Sequence, residues 1–223
     1  MEHWYTLQNI NELDTPAIVV FPDRVRENIN RLVASIDDVG RLRPHIKTHK
    51  SAEVCRMLME SGIKKVKCAT IAEAEILAEA GMPDVLLAYQ PVGPKITRLL
   101  DLVQKFPLTG FSCLIDNYET ASSVNDIFKK NHATLKVFID LNVGMNRTGI
   151  RPEDATRLWN QCQSLPNITI IGLHAYDGHL RDTDFAVRTK RCDESFATVE
   201  TLRTSLQSRT DRSLVVVAGG TPT

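Results

Sequence analysis

Apolar positions along this chain fall into two alternating kinds of run. The first kind is short and nearly continuous in apolar residues, as in VLLA, LKVFIDL and LVVVA. Strands covered on both faces read this way. Extended stretches are expected at 15–21, 41–48, 64–69, 84–90, 111–116, 135–142, 168–176 and 214–218. The second kind has helical spacing. Pro22 and Asp23 open VRENINRLVASI. Ser51 caps AEVCRMLMESG, with Gly62 closing it. Thr70 caps IAEAEILAEAG, with Glu73 completing a capping box and Gly81 as the stop. Asp116 or Asn117 opens YETASSVNDIFKK, and Pro152 stands early in EDATRLWNQCQS, where a proline costs little. Residues 183–208 read as one long helix.

Strand–helix units repeated at this spacing predict an α/β fold with a parallel sheet and helical crossovers. Periodicity leaves two architectures open, a doubly wound sheet and a (β/α) barrel. Neither GxGxxG nor GxxxxGK[ST] follows the first strand, which removes the two commonest nucleotide-binding readings.

Composition narrows the function classes. The 223 residues suffice for one well-buried core. Lys plus Arg and Asp plus Glu both count 27, so no net field draws the chain to nucleic acid or to a membrane surface. No apolar run approaches the ~20 residues a membrane span needs. The N-terminus does not read as a signal peptide. Five widely spaced cysteines without a CxxC pair fit a reduced, cytoplasmic setting, each read as a small buried hydrophobe.

Four runs carry candidate chemistry, each at the end of an expected strand. The densest is RLRPHIKTHK, residues 41–50. Period-2 alternation would put His45, Lys47 and His49 on one face. A lysine pointing inward among two histidines and two arginines is pushed toward its neutral, carbonyl-attacking form, the requirement of Schiff-base chemistry. The alternative is a solvated basic loop. In VVVAGGTPT, Gly219, Gly220 and the threonine hydroxyls have the composition of a phosphate cradle, or of a simple turn. In DLNVGMNRTG, Arg147 suits hydrogen bonding to a ring nitrogen or carboxylate, or pairing with a surface carboxylate. In GLHAYDGH, His174 and Tyr176 share a face. A metal site from His174, Asp177 and His179 is disfavoured because the spacing changes face, and a Tyr176 hydroxyl donating to a phosphate is favoured.

Taken together, and in this order, the four runs resemble the D-threonine aldolases and eukaryotic-type D-serine dehydratases, fold-type III pyridoxal-phosphate enzymes with the alanine racemase barrel. RPHIKTHK resembles the family's lysine motif, DLNVGMNRTG its arginine loop, GLHAYDGH its tyrosine-bearing strand and VVVAGGTPT its phosphate loop. The resemblance spans essentially residues 1–223. It implies a (β/α)8 TIM-type barrel of the alanine racemase N-terminal type, incomplete here, in which 15–21 belongs with a second, β-rich domain and seven runs supply barrel strands.

The resemblance also implies roles. Lys47 would bind pyridoxal 5'-phosphate as a Schiff base and act as a base once freed. Arg147 would face the pyridine nitrogen, making the ring a weaker electron sink. Tyr176, Gly219, Gly220 and Thr221 would hold the phosphate, with Thr223 assisting, and His174 would lie near the cofactor. The implied substrate is a β-hydroxy-D-amino acid, cleaved to glycine and an aldehyde, with a divalent metal gripping the β-hydroxyl. The metal ligands and the β-rich domain would lie beyond this sequence, and a homodimer is implied. D-serine dehydratase activity, racemisation, a non-catalytic pyridoxal-phosphate-binding barrel and a barrel for another phosphate ligand remain as alternatives.

Overall fold

A computed structural model describes residues 3–220 and 222–223. Six strands form one parallel sheet: β1 (Lys65–Cys68), β2 (Asp84–Leu87), β3 (Gly110–Ile115), β4 (Leu135–Leu141), β5 (Ile168–Ala175) and β6 (Val215–Ala218). Their spatial order is their order in sequence. Every link therefore returns over the same face, and helices supply the crossovers. After α1 (Pro22–Ala34) and α2 (Ala52–Glu60), these are α3 (Ile71–Glu79), α4 (Pro94–Lys105), α5 (Tyr118–Lys130), α6 (Pro152–Cys162) and α7 (Phe185–Gln207).

Helix starts follow local chemistry. Ser51, Thr70, Asn117 and Asp184 each accept a hydrogen bond from the backbone N–H three residues on. Asn117, not Asp116, is the cap of α5. At α3 the capping box is offset. Thr70 receives the Glu73 amide, but the Glu73 carboxylate reaches back to the Ala69 amide at 2.8 Å. The helix α4 is an addition to the sequence expectation. Gly93 at φ +55° followed by Pro94 starts it, and Ile96, Leu99, Leu100 and Leu102 give it a buried face.

Two expected strands are not formed. The run 15–21 has no ladder partner among the described residues and lies exposed, Ile18 at 93%. The run 41–48 shrinks to a parallel bridge between His45 and Lys67, then tightens into a 3-10 turn over Ile46–Thr48. The expected seven barrel strands are thus six and a bridge.

The strand faces divide the core. Val66, Val85, Cys113, Val137 and Leu173 point outward and pack, fully buried, under the helices. Leu86, Leu114, Phe138 and Val217 form a smaller inner cluster. Lys67 is in register with Leu86 and takes an inner position. The sheet curls enough that the Lys67 ammonium on β1 lies 5.7 Å from the ring centre of Tyr176, just past β5. The result is a half-barrel. Four of the five cysteines are buried, and Cys192 is partly exposed.

Candidate functional site

The C-terminal strand ends, where βα-barrels gather their chemistry, surround an open cavity of about 610 Å³. Lys47, Arg147, His174, Tyr176, Gly219, Gly220 and Thr223 all line it. Thr221 lies outside the described residues.

Lys47 is held by a turn rather than a strand. Ile46 is fully buried and pins the turn. The His45 ring nitrogen Nδ1 accepts the Lys47 amide at 3.1 Å, and the His49 Nδ1 accepts the Ser51 amide at 3.2 Å. The expected shared face of His45, Lys47 and His49 therefore holds for His45 and Lys47, which both line the cavity, and fails at His49. Lys47 and Thr48 reach the cavity, and His49 turns back to cap the following segment. Lys50, in the left-handed region at φ 49°, bonds the carboxylate of Glu73, which is 2% exposed. Burial works to raise the Glu73 carboxyl, but the Ala69 amide and the Lys50 ammonium outweigh it and hold it below its ordinary value.

The cationic surroundings of Lys47 also differ from expectation. Arg41 pairs with Asp37, and Arg43 with Asp84 through two bonds of 2.7 and 3.0 Å. Burial, with Lys47 and Lys67 nearby, drops His45 to about 4, and burial lowers His49. Both histidines are then neutral near pH 7. A cation beside Lys47 with no salt-bridge partner among the described residues is Lys67 from β1, lowered by burial and by the charges of Lys47 and Arg43, against Asp177 and Asp140.

Beneath the cavity runs a buried polar chain. Asp140 on β4 receives His174 Nδ1 at 2.6 Å on one oxygen and Gln90 Nε2 at 3.0 Å on the other. Gln90 also donates to Asp116, which takes the Gly149 amide at 3.1 Å. Because a carboxylate only accepts, His174 donates from Nδ1 to Asp140.

Arg147 hangs from the loop after β4. Asn142 Oδ1 gathers the amides of Gly144 and Asn146, and Gly149 at φ +96° folds the loop back. A Cβ on Gly149 would stand 2.6 Å from the backbone at Leu141 and Asn142. The Arg147 guanidinium lies 5.2 Å from the Tyr176 ring centre. Tyr176 thus has two cations against its ring, a favourable placement.

Past β6, Gly219 turns at φ +96° and the Gly220 amide donates to Thr223 Oγ1 at 2.7 Å, while the Thr223 hydroxyl donates to Asp177 at 3.0 Å. The ring of His179 packs on Gly144, with Nδ1 buried and unpartnered among the described residues. No group of three or more His, Cys, Asp or Glu side chains that could hold a metal occurs among the described residues. No described helix is long and apolar enough to cross a membrane.

Lys67, Gln90 and Asp116 escaped the sequence expectation. Gln90 and Asp116 carried a signal, each a polar residue just past an apolar strand, whereas Lys67 is one of three lysines in the KKVKC run and nothing local marks it.

The family model of the alanine racemase N-terminal domain matches residues 20–223. A 3-hydroxy-D-aspartate aldolase of Paracoccus denitrificans is 29% identical over 219 residues, covering 95% of this chain and 55% of its own length. A D-threonine aldolase of an Arthrobacter species is 28% identical over 172 residues, 76% of this chain and 45% of its own. Among solved structures, the D-threonine aldolase from Filomicrobium marinum superposes with a TM-score of 0.84 at 26% identity, covering 95% of this chain and 58% of that one. The chain spans about half the length of the curated relatives it matches.

Proposed function

The chain belongs to the alanine racemase N-terminal domain family, and from that premise we propose that it forms the barrel of a pyridoxal-phosphate-dependent lyase that cleaves β-hydroxy-D-amino acids to glycine and an aldehyde. The carrying observation is convergence: Lys47, Arg147, His174, Tyr176, Gly219 and Gly220 come from four separated segments and line one cavity.

The residues present fit the cofactor. The cavity, about 610 Å³, lies within the roughly 300–1,000 Å³ of small-molecule sites. A primary amine stands on one side. The other offers a glycine at φ +96°, a backbone amide and the Thr223 hydroxyl, and a Cβ on Gly220 would crowd Asp177 Oδ1 at 3.0 Å. Lys47 would hold the cofactor covalently through Nζ. Gly219, Gly220, Thr221 and Tyr176 would receive its phosphate, and Arg147 would face its ring nitrogen.

Pyridoxal phosphate, when bound, supplies a conjugated ring that spreads the negative charge developing at the substrate's Cα. The chain supplies the rest. Lys47, once freed, would serve as the base and proton carrier, so that the β-hydroxyl loses a proton and Cα gains one as the Cα–Cβ bond breaks. His174 would border the cofactor, its ring fixed by Asp140, which Gln90 holds in turn. The divalent metal implied by the resemblance would take its ligands from outside the described residues.

The test is intact mass after borohydride reduction of the protein incubated with pyridoxal phosphate, followed by peptide mapping. A single adduct on Lys47 is expected. It is lost in Lys47→Ala and kept in Lys50→Ala, whose ammonium is engaged by Glu73. A folded, cofactor-supplied protein with no adduct overturns the reading. Product analysis then separates glycine plus aldehyde from the keto acid and ammonia of a dehydratase.

A further inference from the structure

We propose that Lys67 is a specificity-determining residue that receives a carboxylate of the amino-acid substrate, a position distinct from the cofactor's covalent, ring and phosphate contacts. This rests on the proposed lyase reading. Four cations line the cavity, Arg43, Lys47, Lys67 and Arg147, and Arg43 is paired with Asp84. That reading gives Lys47 and Arg147 to the cofactor, and Lys67 is left over.

Asp177 and Asp140 favour its charged form from a distance, but neither pairs with it. Among the described residues, no carboxylate lies within salt-bridge distance of the Lys67 ammonium, and it makes no hydrogen bond. The acidic groups around the site are engaged elsewhere. Glu73 holds Lys50, Asp84 holds Arg43, Asp140 holds His174 and Gln90, and Asp177 takes Thr223. The strand fixes where the ammonium points. Register with Leu86 turns Lys67 inward, where it lines the cavity with its head 5.7 Å from the Tyr176 ring centre. An inward ammonium beside Lys47, without a carboxylate, is costly unless an anion arrives. Burial, then the charges of Lys47 and Arg43, lower Lys67 despite the opposing Asp177 and Asp140, and a seated carboxylate would offset the like charge. A substrate amino acid held at Lys47 would carry its carboxylate into the cavity that Lys67 also lines.

The experiment uses the protein carrying 13Cε-labelled lysine, with the Lys67 resonance identified by its loss in Lys67→Met. D-threonine is expected to raise the titration midpoint of Lys67, and inorganic phosphate is expected not to. In cofactor-loaded protein, Lys67→Met should weaken D-threonine binding, read from the cofactor's absorbance, by about 10- to 100-fold. Lys67→Arg should keep it within a few-fold, and the borohydride adduct on Lys47 should persist in both variants. A Lys67 resonance that responds to phosphate alone, unchanged D-threonine affinity in Lys67→Met, or loss of cofactor loading in that variant overturns the proposal. Absence of the adduct from wild type instead defeats the lyase reading, and the Lys67 resonance still reports carboxylate binding by itself.

Discussion

Protonating His45 would convert an acceptor into a donor at the atom that receives the Lys47 amide. Its folded value of about 4, depressed first by burial and then by Lys47 and Lys67, compares with an ordinary 6.5. Between those values the unfolded chain binds the proton and the folded one does not. The His45 contribution is therefore complete above about pH 6.5 and is lost as pH falls through about 4. The Lys47 turn should loosen over that window, read as a falling yield of borohydride-trapped adduct at matched cofactor concentration. His45→Asn, which keeps an acceptor but does not titrate, should flatten the profile. An unchanged profile in His45→Asn would remove His45 as its source. At this scale the sequence displayed Lys47, Arg147, His174, Tyr176 and the glycine pair plainly, because each sits in a short polar run after an apolar one. It could not display which cation near Lys47 lacks a salt-bridge partner among the described residues. That depends on Arg43 finding Asp84 across 41 residues and on Lys67 turning inward, both products of register rather than of local composition.

The site is only as ordered as the elements behind it. Gly172 on β5 is the tightest point. A Cβ there would fall 1.9 Å from the Val215 carbonyl oxygen and 3.0 Å from Phe138. Gly172→Ala should push β6 away from β5 and cost roughly 3 kcal/mol or more. Urea unfolding would measure the loss, and amide exchange should show it concentrated at Val215–Ala218, with cofactor affinity falling because Gly219 and Gly220 ride on that strand. A variant that unfolds like wild type would contradict the close approach. Caps, stops and most strands were legible because Ser51, Thr70, Asn117, Gly62 and Gly81 act within a turn of themselves. The strand expected at 41–48 was not, since its apolar content is slight and a 3-10 turn needs only the His45 side chain to start it.

Across the whole molecule, the surface is large for its mass. It exposes 13080 Å², against roughly 10,200 Å² for a compact 25.0 kDa chain. Trp4, Tyr5, Ile10, Ile18, Val20 and Phe185 are all more than half exposed, and the sheet leaves β1 and β6 unclosed. Residues 1–223 in isolation should self-associate as concentration rises, visible in sedimentation velocity, and Ile18→Lys with Val20→Lys should reduce it. A monomer at all concentrations would show that these surfaces are tolerated bare. The barrel type was legible only through the motifs, as strand periodicity is the same in a curled and an open sheet. Sequential strand order has a kinetic consequence. Each strand meets the one before it, so the half-barrel can grow in chain order with contacts of short sequence separation. Lys47 leaves the ribosome among the first of the site residues, and Gly219 and Gly220 among the last. The proposed cofactor, gripping both ends, would bind only the finished fold, so its saturation would add stability by mass action and make cofactor supply during synthesis a determinant of how much chain reaches the native state.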